Sequence, residues 1–169
     1  MRKTANNYAF IDSQNLNLGV KDCGWKLDFS KFLVYLRDKY SVTKAYLFIG
    51  YVSENKILYE SLQKMGYICI FKPTLKIKNV RIKGNVDAEL VLHSMIQLKN
   101  FDKSVIVSGD GDFYCLIKYL IQKEKLEMIL IPNEYKYSTL LKGISTPDKN
   151  MFEFINRKKK KLEFLKKGK

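Results

Sequence analysis

The run Ser104-Val105-Ile106-Val107-Ser108-Gly109-Asp110-Gly111-Asp112-Phe113 decides how the rest of the chain is read. Val105, Ile106 and Val107 make a short apolar stretch that suits a strand buried on both faces. Gly109 stops it. Phe113, Leu116, Ile117, Leu120 and Ile121 then follow helical spacing, so a helix is expected from Asp112, with that residue as its N-cap. Asp110 and Asp112 therefore stand at the carboxyl end of a strand, where open α/β sheets place their ligands.

Working outward, Tyr8-Ala9-Phe10-Ile11-Asp12 is a second strand that ends in an acid, followed by an expected loop from Ser13 to Leu27. Asp28 is the expected N-cap of a helix with Phe29, Phe32, Leu33 and Leu36 inward. Lys44 to Tyr51 reads as a buried strand. Ser53 is expected to cap the next helix, with Ile57, Leu58, Leu62 and Met65 inward and Gly66 as its stop. Tyr67 to Phe71 is a third strand. This alternation predicts an α/β fold: a Rossmann-like, three-layer arrangement with a mostly parallel central sheet.

Residues 74–85 break the rhythm. Leu75-Lys76-Ile77-Lys78 and Val80-Arg81-Ile82-Lys83 alternate apolar with basic, which predicts a two-stranded ribbon with one cationic face. Lysines also protect an exposed edge from aggregation, but this ribbon leads straight into the helix that carries Asp87. That helix is expected over Val86 to Lys99, with Leu90, Val91, Met95 and Leu98 inward. Glu127 to Ile131 is the last clear strand, followed by a short helix near Tyr137 to Lys142 and a further element over Met151 to Ile155. One domain over residues 1–156 and a basic tail over 157–169, opened by Arg157, Lys158 and Lys159, account for the chain.

With 169 residues and 46% hydrophobic side chains, the protein can bury one core. Its net charge of +14 favours a polyanionic partner such as RNA. Apolar runs such as Met128-Ile129-Leu130-Ile131 are too short to span a bilayer, and no apolar segment of secretory type follows Met1. Cys23, Cys69 and Cys115 are odd in number and lack metal-ligand spacing, so buried thiols in a reducing cytoplasm are expected. Assembly into homo-oligomers is left open.

Each acid has a plain alternative role: Asp112 as a cap, Asp87 as a complement to a helix dipole, Asp12 and Asp110 in turns. Collected at one sheet edge they require more. Two carboxylates about 4 Å apart repel by about 4 kcal/mol at an effective dielectric near 20, so a cluster calls for a cation. Oxygen donors without Cys or His point to Mg²⁺ or Mn²⁺, and such an ion promotes phosphodiester hydrolysis.

Three blocks now carry a resemblance. Phe10-Ile11-Asp12-Ser13-Gln14-Asn15-Leu16, Lys83-Gly84-Asn85-Val86-Asp87 and Val107-Ser108-Gly109-Asp110-Gly111-Asp112-Phe113 resemble the signature blocks of NYN domains, which are PIN-like nucleases and include the LabA-like bacterial proteins. The likeness spans about residues 6–155. It implies a divalent metal and ribonuclease activity or, in some members, RNA binding alone. It implies that Asp12, Asp87, Asp110 and Asp112 form the acidic cluster and that Asn15 shapes the pocket. Many relatives carry a further acid six residues after the middle block's aspartate; here that position is His93, which cannot supply the negative charge.

The expected function is a metal-dependent ribonuclease, with Lys76, Lys78, Arg81, Lys83 and the tail cations gripping the RNA backbone. The alternative is a non-catalytic RNA-binding module. A phosphatase of the haloacid dehalogenase type needs an aspartate two residues after its nucleophile, and Gln14 stands there instead. Trp25, Tyr51, Tyr114 and Tyr135 are candidates for stacking on unpaired bases.

Overall fold

The computed structural model describes residues 5–73, 75–77, 80–82, 85–144 and 151–165. The first half contains β1 (Asn7–Asp12), α1 (Ser13–Asp22), α2 (Phe29–Tyr40), β2 (Val42–Gly50), α3 (Lys56–Met65) and β3 (Tyr67–Lys72). A short ribbon of β4 (Leu75–Ile77) and β5 (Val80–Ile82) precedes α4 (Asp87–Ile96). Then come β6 (Ser104–Val107), α5 (Tyr114–Gln122), β7 (Leu126–Ile131), α6 (Thr139–Lys142), β8 (Phe152–Phe154) and α7 (Lys159–Leu162). Six strands form one all-parallel sheet in the order β3-β2-β1-β6-β7-β8.

The chain leaves β1 toward β2 on one side and resumes at β6 on the other, so the order reverses beside β1. This is the switch point at which such sheets open a crevice. Side chains of β1 alternate between two cores. Ala9 and Ile11 pack with α1, α2 and α3, while Tyr8 and Phe10 pack with α4 and α5. Helices on both faces explain why all six β1 residues are buried.

Several local expectations hold. Asp28 caps α2 by accepting from the N–H groups of Ser30 and Lys31, and Gly66 ends α3. The ribbon forms with Lys76 opposite Arg81. Among the described residues no helix is long and apolar enough to cross a membrane.

Others are corrected. The expected loop after β1 is the helix α1, with Leu16 and Val20 buried one turn apart. Asn15, Asn17 and Gly19 are weak helix formers, which hid it. Gly19 is retained for space, because a Cβ there would lie 2.6 Å from the Cβ of Pro132. On α3 the inward residues are Tyr59 and Leu62, whereas Ile57 and Leu58 are exposed. A 3-10 turn over Ser53–Asn55, in which Ser53 caps nothing, rotates that helix away from the expected face. Met95 on α4 is likewise exposed. Cys23 and Cys69 are half-buried and Cys115 is exposed, so none is a core thiol.

Candidate metal centre

Ile11 pairs with Val107, so the carboxyl ends of β1 and β6 lie side by side. Asp12 is the N-cap of α1. Its Oδ1 accepts from the Asn15 N–H at 3.0 Å, and Ser108 Oγ donates to its Oδ2 at 3.4 Å. Strand alternation places Asp12 on the Tyr8 and Phe10 face, the side covered by α4 and α5. Asp87 opens α4, and its N–H is held by Asn85 Oδ1 at 2.8 Å. Asp110 caps a 3-10 turn over Gly111–Phe113 by accepting from the Asp112 N–H at 3.0 Å. The capping role expected of Asp112 therefore falls to Asp110, because the turn begins one residue before Asp112. That leaves the Asp112 carboxylate uncommitted to the turn.

Carboxylate oxygens of Asp87, Asp110 and Asp112 lie within 4.8 Å of one another. Asp12 stands outside this closest trio but lines the same cleft, of about 410 Å³, as Asp87 and Asp110. Asn15 fastens the arrangement: its Oδ1 accepts from the Gly109 N–H at 2.8 Å, tying α1 to the loop after β6. Ser108 Oγ accepts from the Asp110 N–H at 3.1 Å while turning its hydroxyl toward Asp12. Gly111 is required by close approach, since a Cβ would collide with Ser138.

Burial raises the Asp12 carboxyl from its ordinary value to about 6. The Asp87 and Asp110 charges add to this, against the hydrogen bonds from Asn15 and Ser108. Burial also raises Asp87, with Asp110 and Asp112 pushing the same way and Asn85 opposing. Acids held this close, with no thiol or imidazole in the cleft lining, suit a hard divalent cation.

Lys136 was missed from sequence. It lines the cleft from the turn after β7, and its Nζ pairs with Asp22 at 3.0 Å. Periodicity is lost after Pro132. The only available signal was a cation just past the carboxyl end of a parallel strand.

The remaining candidates are dispersed. His93 packs its ring against Phe48 and Tyr46, at centroid distances of 5.6 and 6.4 Å, on the α4 face of the sheet. Six residues of helix put it about 9 Å along the axis from Asp87. Lys76 and Arg81 lie in the ribbon, whereas Lys78 and Lys83 lie outside the described residues. The basic run from Arg157 is anchored to the domain, with Leu162 in the core and Leu27 bridged to Glu163. Three of its cations are engaged by carboxylates: Arg157 with Glu134, Lys158 with Glu153 at 2.9 Å and Lys159 with Glu163 at 3.7 Å. Trp25 is a core residue, Tyr114 is half-buried, and Tyr51 and Tyr135 are exposed.

Similarity to known proteins agrees with this architecture. A crystal structure of a protein of unknown function from Vibrio parahaemolyticus superposes with a TM-score of 0.70. It covers 92% of this chain and 96% of that one at 20% identity, a likeness of fold. The low amplitude and bright protein LabA of Synechococcus elongatus is 26% identical over 125 residues, or 68% of this chain and 67% of LabA. The NYN domain model matches residues 8–143, a span that takes in β1, the Asp87 block and the loop after β6. An all-parallel sheet with its acids gathered beside β1 is the PIN-like nuclease fold of that family, and this chain belongs to the NYN domain family.

Proposed function

We propose that this protein is a metal-dependent ribonuclease that hydrolyses phosphodiester bonds of RNA. The carrying observation is the convergence of Asp87, Asp110 and Asp112 within 4.8 Å at the switch point of the sheet, in a chain of net charge +14. Asp87, Asp110 and Asp112, with Asp12 behind them, would hold Mg²⁺ or Mn²⁺. Such an ion supplies Lewis-acid activation of water and neutralises charge on a phosphoryl oxygen. Asn15 acts by fixing the Gly109 backbone, and so the direction of Asp110. Lys136 is placed to meet a non-bridging phosphate oxygen, because its exposed ion pair with Asp22 is weak and easily exchanged. The ribbon cations and the basic segment from Arg157 are assigned to the RNA backbone.

The direct test is incubation of the purified protein with end-labelled single-stranded RNA in Mn²⁺, in Mg²⁺ and in EDTA. Cleavage in metal and none in EDTA is the expected result. RNA retention without cleavage in any metal would instead identify a binding module, for which the missing acid at His93 is the motivating observation. Neither binding nor cleavage would remove both readings.

A further inference from the structure

A second cavity, of about 230 Å³, opens beside the metal cleft between the start of α1, the end of β2 and α3. Its floor is apolar and aromatic, with Phe48, Tyr59 and Leu62 buried. Its rim carries the side-chain amides of Gln14, Asn17 and Asn55, all exposed. No hydrogen bond engages these three amides among the described residues, so their donors and acceptors face solvent. Gln14, Leu18 and Val86 line both cavities, and Val86 immediately precedes Asp87. The two spaces are therefore neighbours that share these side chains as a common wall.

No charged side chain among the described residues lines this cavity, although 28% of the chain is charged. An aromatic floor under free amides fits a flat heterocycle with donor and acceptor edges. The volume is below the roughly 300 Å³ at which pockets for drug-sized ligands begin, which limits the occupant to about one ring system. Each rim amide offers a donor and an acceptor, which match the exposed edge of any unpaired base.

We infer that this cavity is a subsite for one unpaired nucleobase in the strand whose phosphate lies at the aspartates. The phosphate's place rests on the nuclease reading; the base pocket itself does not require turnover. Binding therefore provides the test. Single-stranded oligouridine should bind about tenfold more tightly than a strand of the same length made of abasic nucleotides, as one seated base allows. The ratio is measured by fluorescence anisotropy in EDTA, so that no strand is cut. Leu58 is half exposed at the cavity wall, so Leu58→Trp should fill the space without disturbing the core. That variant and Asn55→Ala should each bring the ratio toward one, and a ratio is insensitive to partial loss of folded protein. Equal binding of the two strands by the wild type, or a preference that survives both variants, overturns the subsite while leaving the nuclease reading intact. Failure of both strands to bind overturns the subsite, and cleavage in Mn²⁺ then decides the nuclease reading separately. A preference retained by a protein that cuts nothing in Mn²⁺ supports the subsite and ends the nuclease reading.

Discussion

Asp12 and Glu153 are both largely buried carboxylates on strands of one sheet, and the protein treats them in opposite ways. Glu153 accepts from Tyr35 Oη and Lys39 Nζ, each at 2.7 Å, from the Tyr40 hydroxyl, and from Lys158 at 2.9 Å. Burial alone would raise its carboxyl; the bonds from Lys39, Tyr35 and Lys158 outweigh it and hold the group below the ordinary glutamate value. Asp12 has hydrogen bonds but, among the described residues, no cation partner, and two further carboxylates act on it. Supply is not the reason, for the chain carries 31 lysines and arginines. The C-terminal segment is held by ion pairs that the sequence itself completes. Among the described residues no cation pairs with Asp12, Asp87, Asp110 or Asp112, and Lys136 at the cleft pairs with Asp22. That difference separates a carboxylate satisfied by the fold from acids that the proposed nuclease function assigns to a divalent ion.

The largest expected effect follows from removing one member of the cluster. Asp110→Asn should lower metal-dependent RNA cleavage by at least about a hundredfold, since each ligand shares in several kcal/mol of charge stabilisation. Unfolding in EDTA should show equal or greater stability, because the variant relieves repulsion. Retention of the full rate in a cleavage time course would break the contrast, by showing that these acids are not the reacting centre.

Stability against pH should separate the two carboxylates by sign. Asp12 rises from 3.8 to about 6 on folding, so its favourable contribution is complete below 3.8 and is lost as pH rises through about 6. Near neutral pH, Asp12→Asn should therefore stabilise the metal-free protein by up to about 3 kcal/mol. The gain should shrink as pH falls and vanish near pH 4. Glu153 shifts the other way, so its contribution is present above the ordinary glutamate pKa and is lost as pH falls through its folded value. Glu153→Ala should cost about 2 kcal/mol near neutral pH, with a smaller cost in acid. Urea unfolding in EDTA at about pH 7.5 and about pH 4.5 reads both variants. Equal signs at neutral pH would dissolve the distinction.

What could be read in advance followed the range of the interactions involved. The strand pattern of β1 and β6, the Asp28 cap and the Gly66 stop depend on neighbours in sequence, and each was legible. The nearness of Asp87, Asp110 and Asp112 was legible because parallel topology brings strand ends together and each block carries an acid, whereas the place of Asp12 outside that trio was not. The helix α1 was not legible: Asn15 is placed to bond Gly109 and Gly19 to admit Pro132, and both choices lower helix propensity. Nor was the anchoring of the basic segment, which depends on Glu153 and on a bridge between Leu27 and Glu163 far apart in sequence. Residues recruited to long-range contacts erase the local pattern that would have revealed them.

The smallest effect concerns which cations hold RNA, and here the comparison extends to basic groups. Arg157, Lys158 and Lys159 are each engaged by a carboxylate, and the Glu134 carboxyl is held low chiefly by its bonds from Arg157 and Asn156. A phosphate that recruits these side chains must first displace an internal anion, so counterion release from them is reduced. Lys76 and Arg81 are register partners in a ribbon that precedes Asp87 in the chain. Each phosphate contact with a single strand contributes about 0.7 to the slope of log K against log salt. Changing Lys76, Lys78 and Arg81 together to Gln should flatten that slope by about two units, nearly independently of sequence. Changing Arg157, Lys158 and Lys159 to Gln should flatten it by less than one. The tail variant should also lower thermal stability, because Glu134 and Glu153 lose partners; the ribbon variant should not. Filter binding at several salt concentrations, paired with thermal unfolding, distinguishes the two. If the tail variant flattens the slope more than the ribbon variant, its ion pairs exchange freely with phosphate and the ribbon is a solvated edge.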